Sequence, residues 1–196
     1  MDLINSFLEI LKQGGKQSHL NLTMIPLLSS DGGEPDYLTL EEALAKGAVE
    51  ITEVSQSGSV PDLKLINKSP EKILIVDGEE LVGAKQNRIV NATFLFAGNT
   101  EIIIPVSCVE QGRWNYRSKS FASGERLMPP MMKREKQRMV ALNLETGAGF
   151  RADQGMIWDE LAEKSARMNV KSETGAMADL FEGQKDKLGE YLKAFH

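Results

Sequence analysis

One cysteine and two histidines in 196 residues remove much of enzyme chemistry from consideration. With Cys108 alone, no internal disulfide can form. The histidines, His19 and His196, are too few for most Ser-His-Asp, Cys-His or His-based metal arrangements. Acid–base work therefore falls to carboxylates or lysines. Any metal would be a hard cation such as Mg²⁺, held by oxygens. No apolar run approaches the ~20 residues that span a bilayer, so no membrane partner is expected. Met1-Asp2-Leu3-Ile4-Asn5 lacks the basic start of a secretory signal, and the reading is a cytoplasmic protein. Walker and Rossmann glycine spacings are absent too.

What is present is an ordinary globular composition, 41% apolar with a net charge of −5. The charge is unevenly spread. Arg113 to Arg138 holds Arg113, Arg117, Lys119, Arg126, Lys133, Arg134, Lys136 and Arg138 against Glu125 and Glu135. A basic segment on an acidic body suits an anionic small molecule better than nucleic acid. A solvated basic helix face is the plainer explanation. Nothing in the sequence sets an oligomeric state.

The pattern along the chain predicts an α+β fold. Leu3, Ile4, Phe7, Leu8 and Leu11 share one face of a short N-terminal helix that Gly14-Gly15 stops. Leu20–Leu28 reads as a strand, and Asp31–Asp36 as a loop. Thr39-Leu40-Glu41-Glu42 is a capping box opening a short helix that ends at Lys46-Gly47. Strands follow at Val49–Val54, Asp62–Asn67, Lys72–Asp77, residues 84–96 and Glu101–Glu110. Turns at Asp77-Gly78 and Gly98-Asn99 separate them. Residues 115–129 read as loop. Helices are predicted from Pro130, from an Asp153 cap, and over 175–195. The expected architecture is an antiparallel or mixed β core, a sandwich or partial barrel over roughly residues 20–114. C-terminal helices (130–196) and a short N-terminal helix cover it in a single domain, 1–196.

Two polar clusters interrupt this apolar pattern, Gly78–Arg88 and Ser107–Trp114. Burying so many polar groups beside core strands is costly unless they pair. If Gly98-Asn99 is a two-residue hairpin loop, Asn87 lies opposite Glu110 and Arg88 opposite Val109. Glu110 is then a candidate general base, with Glu79 as a second catalytic carboxylate. Glu80, Lys85, Gln86, Asn87, Arg88, Arg113 and Trp114 are candidate ligand contacts. Mg²⁺ could join Glu110 through Asp77 or Glu79, whereas no His-based metal site is available. The competing reading is a paired network that only fixes strand register, with Arg88 bridged to Glu79 or Glu80 and Trp114 in the core. Ser118–Arg126 could cradle phosphate, though a mobile surface connection is the simpler reading. Cys108, inside an apolar strand, reads as a buried hydrophobe rather than a nucleophile.

The strings Asp77-Gly78-Glu79-Glu80-Leu81-Val82-Gly83-Ala84-Lys85-Gln86-Asn87-Arg88 and Ile104-Pro105-Val106-Ser107-Cys108-Val109-Glu110-Gln111-Gly112-Arg113-Trp114 resemble the signature of the ADP-ribosylglycohydrolase and rhodanese-phosphatase-associated protein domain family. The resemblance extends from Leu22 to Glu173-Thr174-Gly175-Ala176. It implies no settled activity. It implies association with proteins that process ADP-ribose or phosphoesters, and hence a nucleotide-derived ligand. Carried over, the motif points to Glu79, Glu80, Gln86, Asn87, Arg88, Glu110, Arg113 and Trp114. The function expected is binding of a phosphorylated or ADP-ribose-like small molecule, with or without a reaction. The alternative is a non-catalytic interaction or structural module.

Overall fold

The computed structural model describes residues 2–30, 33 and 35–195. His196 and much of the Asp31–Asp36 loop lie outside the described residues. In chain order the elements are α1 (Asp2–Glu9), β1 (Lys12–Gln13), β2 (Gln17–His19), β3 (Leu22–Met24), β4 (Leu27–Leu28), β5 (Tyr37–Thr39) and α2 (Leu40–Ala45). The strands β6 (Val49–Glu53), β7 (Asp62–Asn67), β8 (Lys72–Ile75), β9 (Glu79–Gly83), β10 (Arg88–Val90), β11 (Phe94–Phe96), β12 (Thr100–Cys108) and β13 (Phe121–Leu127) follow. The helices α3 (Pro130–Glu145), α4 (Gln154–Arg167), α5 (Met177–Glu182) and α6 (Lys185–Ala194) complete the chain.

The chain forms two compact units, Met1–Pro35 with Gln184–His196, and Asp36–Gly183. In the smaller, β1 pairs with β4 and β2 with β3, both antiparallel. Tyr191 of α6 meets the His19 ring edge-on at 5.4 Å and donates its hydroxyl to Asn21 Oδ1. The predicted strand over 20–28 is broken here. Leu20 takes a positive φ of 50° in the turn between β2 and β3.

The larger unit is built on a curled six-stranded antiparallel half-barrel in the order β13-β9-β10-β12-β7-β6. A second sheet, β11-β8-β5, supplies Ile73, Ile75 and Phe96 to the core inside the curl. Strand alternation sorts the side chains. Ile51, Leu63, Leu65, Leu81, Val90, Ile104 and Val106 fill the inside with Leu40 and Ala43 of α2. Ile89 and Val109 point the other way, where Met132 of α3, Ile157 and Leu161 of α4, and Met177 and Leu180 of α5 cover them. This is the expected α+β architecture, with helices laid over a β core.

Several local readings hold. The Thr39–Glu42 capping box is complete, and Gly47 adopts φ +66° just past the helix end. Asp153 caps α4 by accepting from the Met156 amide at 3.0 Å, and Pro130 opens α3.

Others are corrected. Residues 84–96 are not one strand but a turn, β10, a loop and β11, because the segment changes sheets after Asn91. Gly98-Asn99 therefore joins strands of different sheets and is no hairpin loop. β12 pairs first with β7 and only at its end with β10, where Arg88 faces Cys108 and Ile89 faces Ser107. This register is one residue off the one expected. The stretch 115–129 holds a full strand, β13, and the helical run over 175–195 is broken at Gly183.

Candidate functional site

The β9–β10 turn and the end of β12 meet at Glu110. Its side chain is fully buried, yet every oxygen is held. Oε2 accepts from Arg113 Nη2 at 2.6 Å and from the Asn87 backbone amide at 3.0 Å. Oε1 accepts from the Thr174 hydroxyl at 3.0 Å, with Arg117 Nη2 at 3.6 Å. Asn87 and Glu110 are thus neighbours, as expected, but through this amide rather than as facing strand residues. Asn87 faces Val109, whose amide donates to the Asn87 carbonyl at 3.0 Å.

Arg113 holds the turn together. Nη1 donates to the carbonyls of Ala84 (2.7 Å) and Asn115 (3.0 Å). Nη2 also reaches the Gly83 carbonyl at 3.2 Å and Asn87 Oδ1 at 3.1 Å. Burial pushes the Glu110 carboxyl up. The hydrogen bond from Arg113, the Asn87 amide, the Arg113 charge and the Thr174 hydroxyl outweigh that and hold it below its ordinary range.

Thr174 arrives from a strap between α4 and α5. The Gly112 amide donates to the Thr174 carbonyl at 2.7 Å, and the Met177 amide to the Val109 carbonyl at 2.8 Å. Glu110 and Ala176 form a single antiparallel bridge. The approach requires glycine, since a Cβ on Gly112 would sit 2.9 Å from Thr174 Cα. Above lies a cleft of about 680 Å³ lined by Asn87, Glu110, Arg117, Thr174 and the polar residues Asn169, Lys171, Glu173, Asp179 and Glu182. Its size is typical of small-molecule sites.

Glu80 borders this network. Its Oε2 accepts from Arg126 at 2.9 Å. Burial raises its carboxyl above the ordinary range against the pull of Arg126 and Asn87, and Glu110 adds to the rise. Glu79 does not join Glu110. It accepts the Val76 amide at 2.9 Å in the turn before β9. Asp77 also belongs elsewhere, bound to the fully buried Lys136 and to Gln137 Nε2 (2.7 Å). Among the described residues no three of His, Cys, Asp and Glu gather to hold a metal ion.

Of the other sequence candidates, Arg88 and Cys108 lie on the inner side of their strands, in alternation with Val90 and Val106. Gln86 links the two sides, donating to the Glu110 carbonyl at 2.9 Å and accepting from Arg88 Nη1 at 3.0 Å. Arg88 is buried and pairs with neither Glu79 nor Glu80. Trp114 is not in the core: it is 46% exposed, its ring 5.6 Å from the Arg88 guanidinium and 5.1 Å from Lys85 Nζ. Cys108 is buried, and burial pushes its thiol up. Gln154 takes both its backbone groups, standing in for β7 beyond that strand's end. The Ser118–Arg126 segment is not the surface loop expected. Most of it is β13, and Arg126 is held by Glu80.

Sequence reasoning did not mark Glu53, knew Arg117 and Lys136 only as members of the basic segment, and gave Thr174 no role. The signature string around Thr174 was visible, but nothing local tied it to Glu110.

The fold and site define an α+β protein with a polar cleft over a buried, ion-paired carboxylate. The profile of the ARG and rhodanese-phosphatase-superfamily-associated protein domain, ARPP-1, matches residues 10–196, and the chain belongs to that family. No curated protein and no solved structure matches it. Among the described residues no helix is long and apolar enough to cross a membrane.

Proposed function

We propose that the cleft over Glu110 binds a hydroxyl-bearing, phosphorylated small molecule of nucleotide or ADP-ribose type. What carries the reading is the Glu110 carboxylate, kept ionised by Arg113 at the floor of a polar cleft of about 680 Å³. A fixed carboxylate suits sugar hydroxyls. Arg117 and Lys171, in the same lining, suit a phosphate.

A second reading is favoured by a specific observation: both Glu110 oxygens already have partners within the protein. The network then serves only to lock the β9–β10 turn to the strap, in a non-catalytic module.

A thermal-shift screen separates them. ADP-ribose, NAD and mononucleotides are tested at millimolar concentration, with and without Mg²⁺, on the wild type and Arg117→Ala. A stabilising shift that Arg117→Ala diminishes supports the first reading. No shift from any compound supports the second.

A further inference from the structure

The smaller unit, Met1–Pro35 with Gln184–His196, is apolar on its surface and has no core of its own. None of its described residues is buried. Among the described residues 21 large apolar side chains are exposed, and 12 of them lie in this unit, about a quarter of the chain. Ile4, Phe7 and Leu8 share one face of α1, while Leu27, Leu28 and Leu192 are each more than half exposed. A lone two-stranded ribbon is marginal in water, and a unit this small without a core needs a partner.

We propose that the smaller unit is a homodimer interface. In it the Leu22–Leu28 edge of the ribbon pairs with the same edge of a second copy and buries the apolar side chains of α1 and β4. Three observations select a second copy of this chain. The first is area. Side chains this exposed show on the order of 80 Å² each, so the unit offers on the order of 1,000 Å² per copy, where a standard interface takes about 800 Å². The second is charge. In this unit five lysines stand against six carboxylate side chains, and α1 contains Asp2 and Glu9 but no base. Such a balance gives no attraction to an anionic lipid surface or a nucleic acid, and it does not oppose self-association.

The third observation is the edge itself. Both sheets of the unit are two-stranded, so β3 and β4 have a strand partner on one side alone. Lys12 and Lys16 stand on the β1–β2 side, where lysine blunts an edge, whereas Leu22–Leu28 carries no charge. Pro26 does not block pairing there. Its carbonyl turns inward to the Gly14 amide at 2.8 Å, so the N–H it lacks belongs to the inner side. Such an edge pairs antiparallel with its own copy about a twofold axis, and one strand then satisfies both chains. The proposal does not rest on the cleft reading.

Sedimentation velocity of the full chain, from low to high micromolar concentration, tests it. The 21.7 kDa chain is expected to sediment as a dimer. Leu27→Lys, at a position 59% exposed, is expected to weaken the dimer by roughly tenfold or more with an unchanged circular dichroism spectrum. Phe7→Glu on α1 is expected to act in the same direction, and it alone decides should Leu27→Lys lose the wild-type spectrum. Amide exchange across Leu22–Leu28 is expected to slow as the wild-type concentration rises. A monomer at every concentration overturns the proposal. A dimer that both substitutions leave intact, or exchange at that edge that ignores concentration, overturns it too, because the interface then lies elsewhere. A chain that stays monomeric yet pellets with neutral phosphatidylcholine vesicles overturns it in favour of a lipid surface.

Discussion

Replacing Arg113 by Met tests the energetic logic of the Glu110 network. The substitution removes the closer, buried counter-charge and leaves Glu110 buried with the Asn87 amide, the Thr174 hydroxyl and, at 3.6 Å, the largely exposed Arg117 guanidinium. Removing one partner of a buried pair costs about 3–5 kcal/mol. The structure allows a tighter bound. Glu110 can escape its burial by taking up a proton, and from an ordinary value of 4.5 that costs about 3.4 kcal/mol at pH 7. The carbonyls of Ala84 and Asn115 also lose their donor, adding about 1 kcal/mol. The expected loss is about 4 kcal/mol, or roughly 8–16 °C in Tm for a chain of this size.

The pH dependence fixes the mechanism. In the wild type the carboxyl lies below its unfolded value. Its contribution is complete above about pH 4.5 and is lost as pH falls through the folded value. In Arg113→Met burial dominates and raises the carboxyl, so the folded state binds more protons than the unfolded one. The variant then gains stability as pH falls from 7 towards 4.5. Urea unfolding followed by circular dichroism at pH 7 and pH 5 should therefore show the gap between the proteins narrowing. A loss under 1 kcal/mol, or a gap unchanged between the two pH values, would refute the reasoning.

Two further perturbations probe the surroundings. Asp77→Asn leaves the Lys136 ammonium buried against the Asn91 carbonyl (2.8 Å) without its counter-charge, at a cost of about 3 kcal/mol. Burial already holds Lys136 below 10.5, so the unfolded state binds more protons and the variant should recover stability as pH rises towards 10. A flat profile in denaturant titrations would count against this. Gly112→Ala places a methyl 2.9 Å from Thr174 Cα and should displace the strap, at about 1–3 kcal/mol. Faster hydrogen exchange at the Met177 amide is the readout, and unchanged protection there would contradict the close-approach argument.

The site was legible in part. Dense polar residues beside apolar strands marked Gln86, Asn87, Glu110 and Arg113, and these do form one network. The pairing of Asn87 with Glu110 came from the wrong register. A side chain as long as glutamate reaches a backbone amide from either alignment, so the contact tolerated the error. Glu79 and Glu80 could not be told apart, because neighbours on a strand face opposite ways and only the packing says which face meets Glu110. Lys136 is a single base in a basic helix, and nothing local distinguishes it from solvated Arg134 or Arg138.

The sequence by itself determined what local chemistry controls. Helix caps at Thr39 and Asp153, the start at Pro130, the alternation of core strands and the polar signature each depend on residues close together in the chain. Tertiary structure alone decided which strands are neighbours, where β12 passes from β7 to β10, and that Thr174 closes over Glu110. Glu110 and Thr174 stand 64 residues apart, and Glu53 and Lys85 stand 32. Such contacts follow from how apolar faces pack together, and no local propensity encodes them.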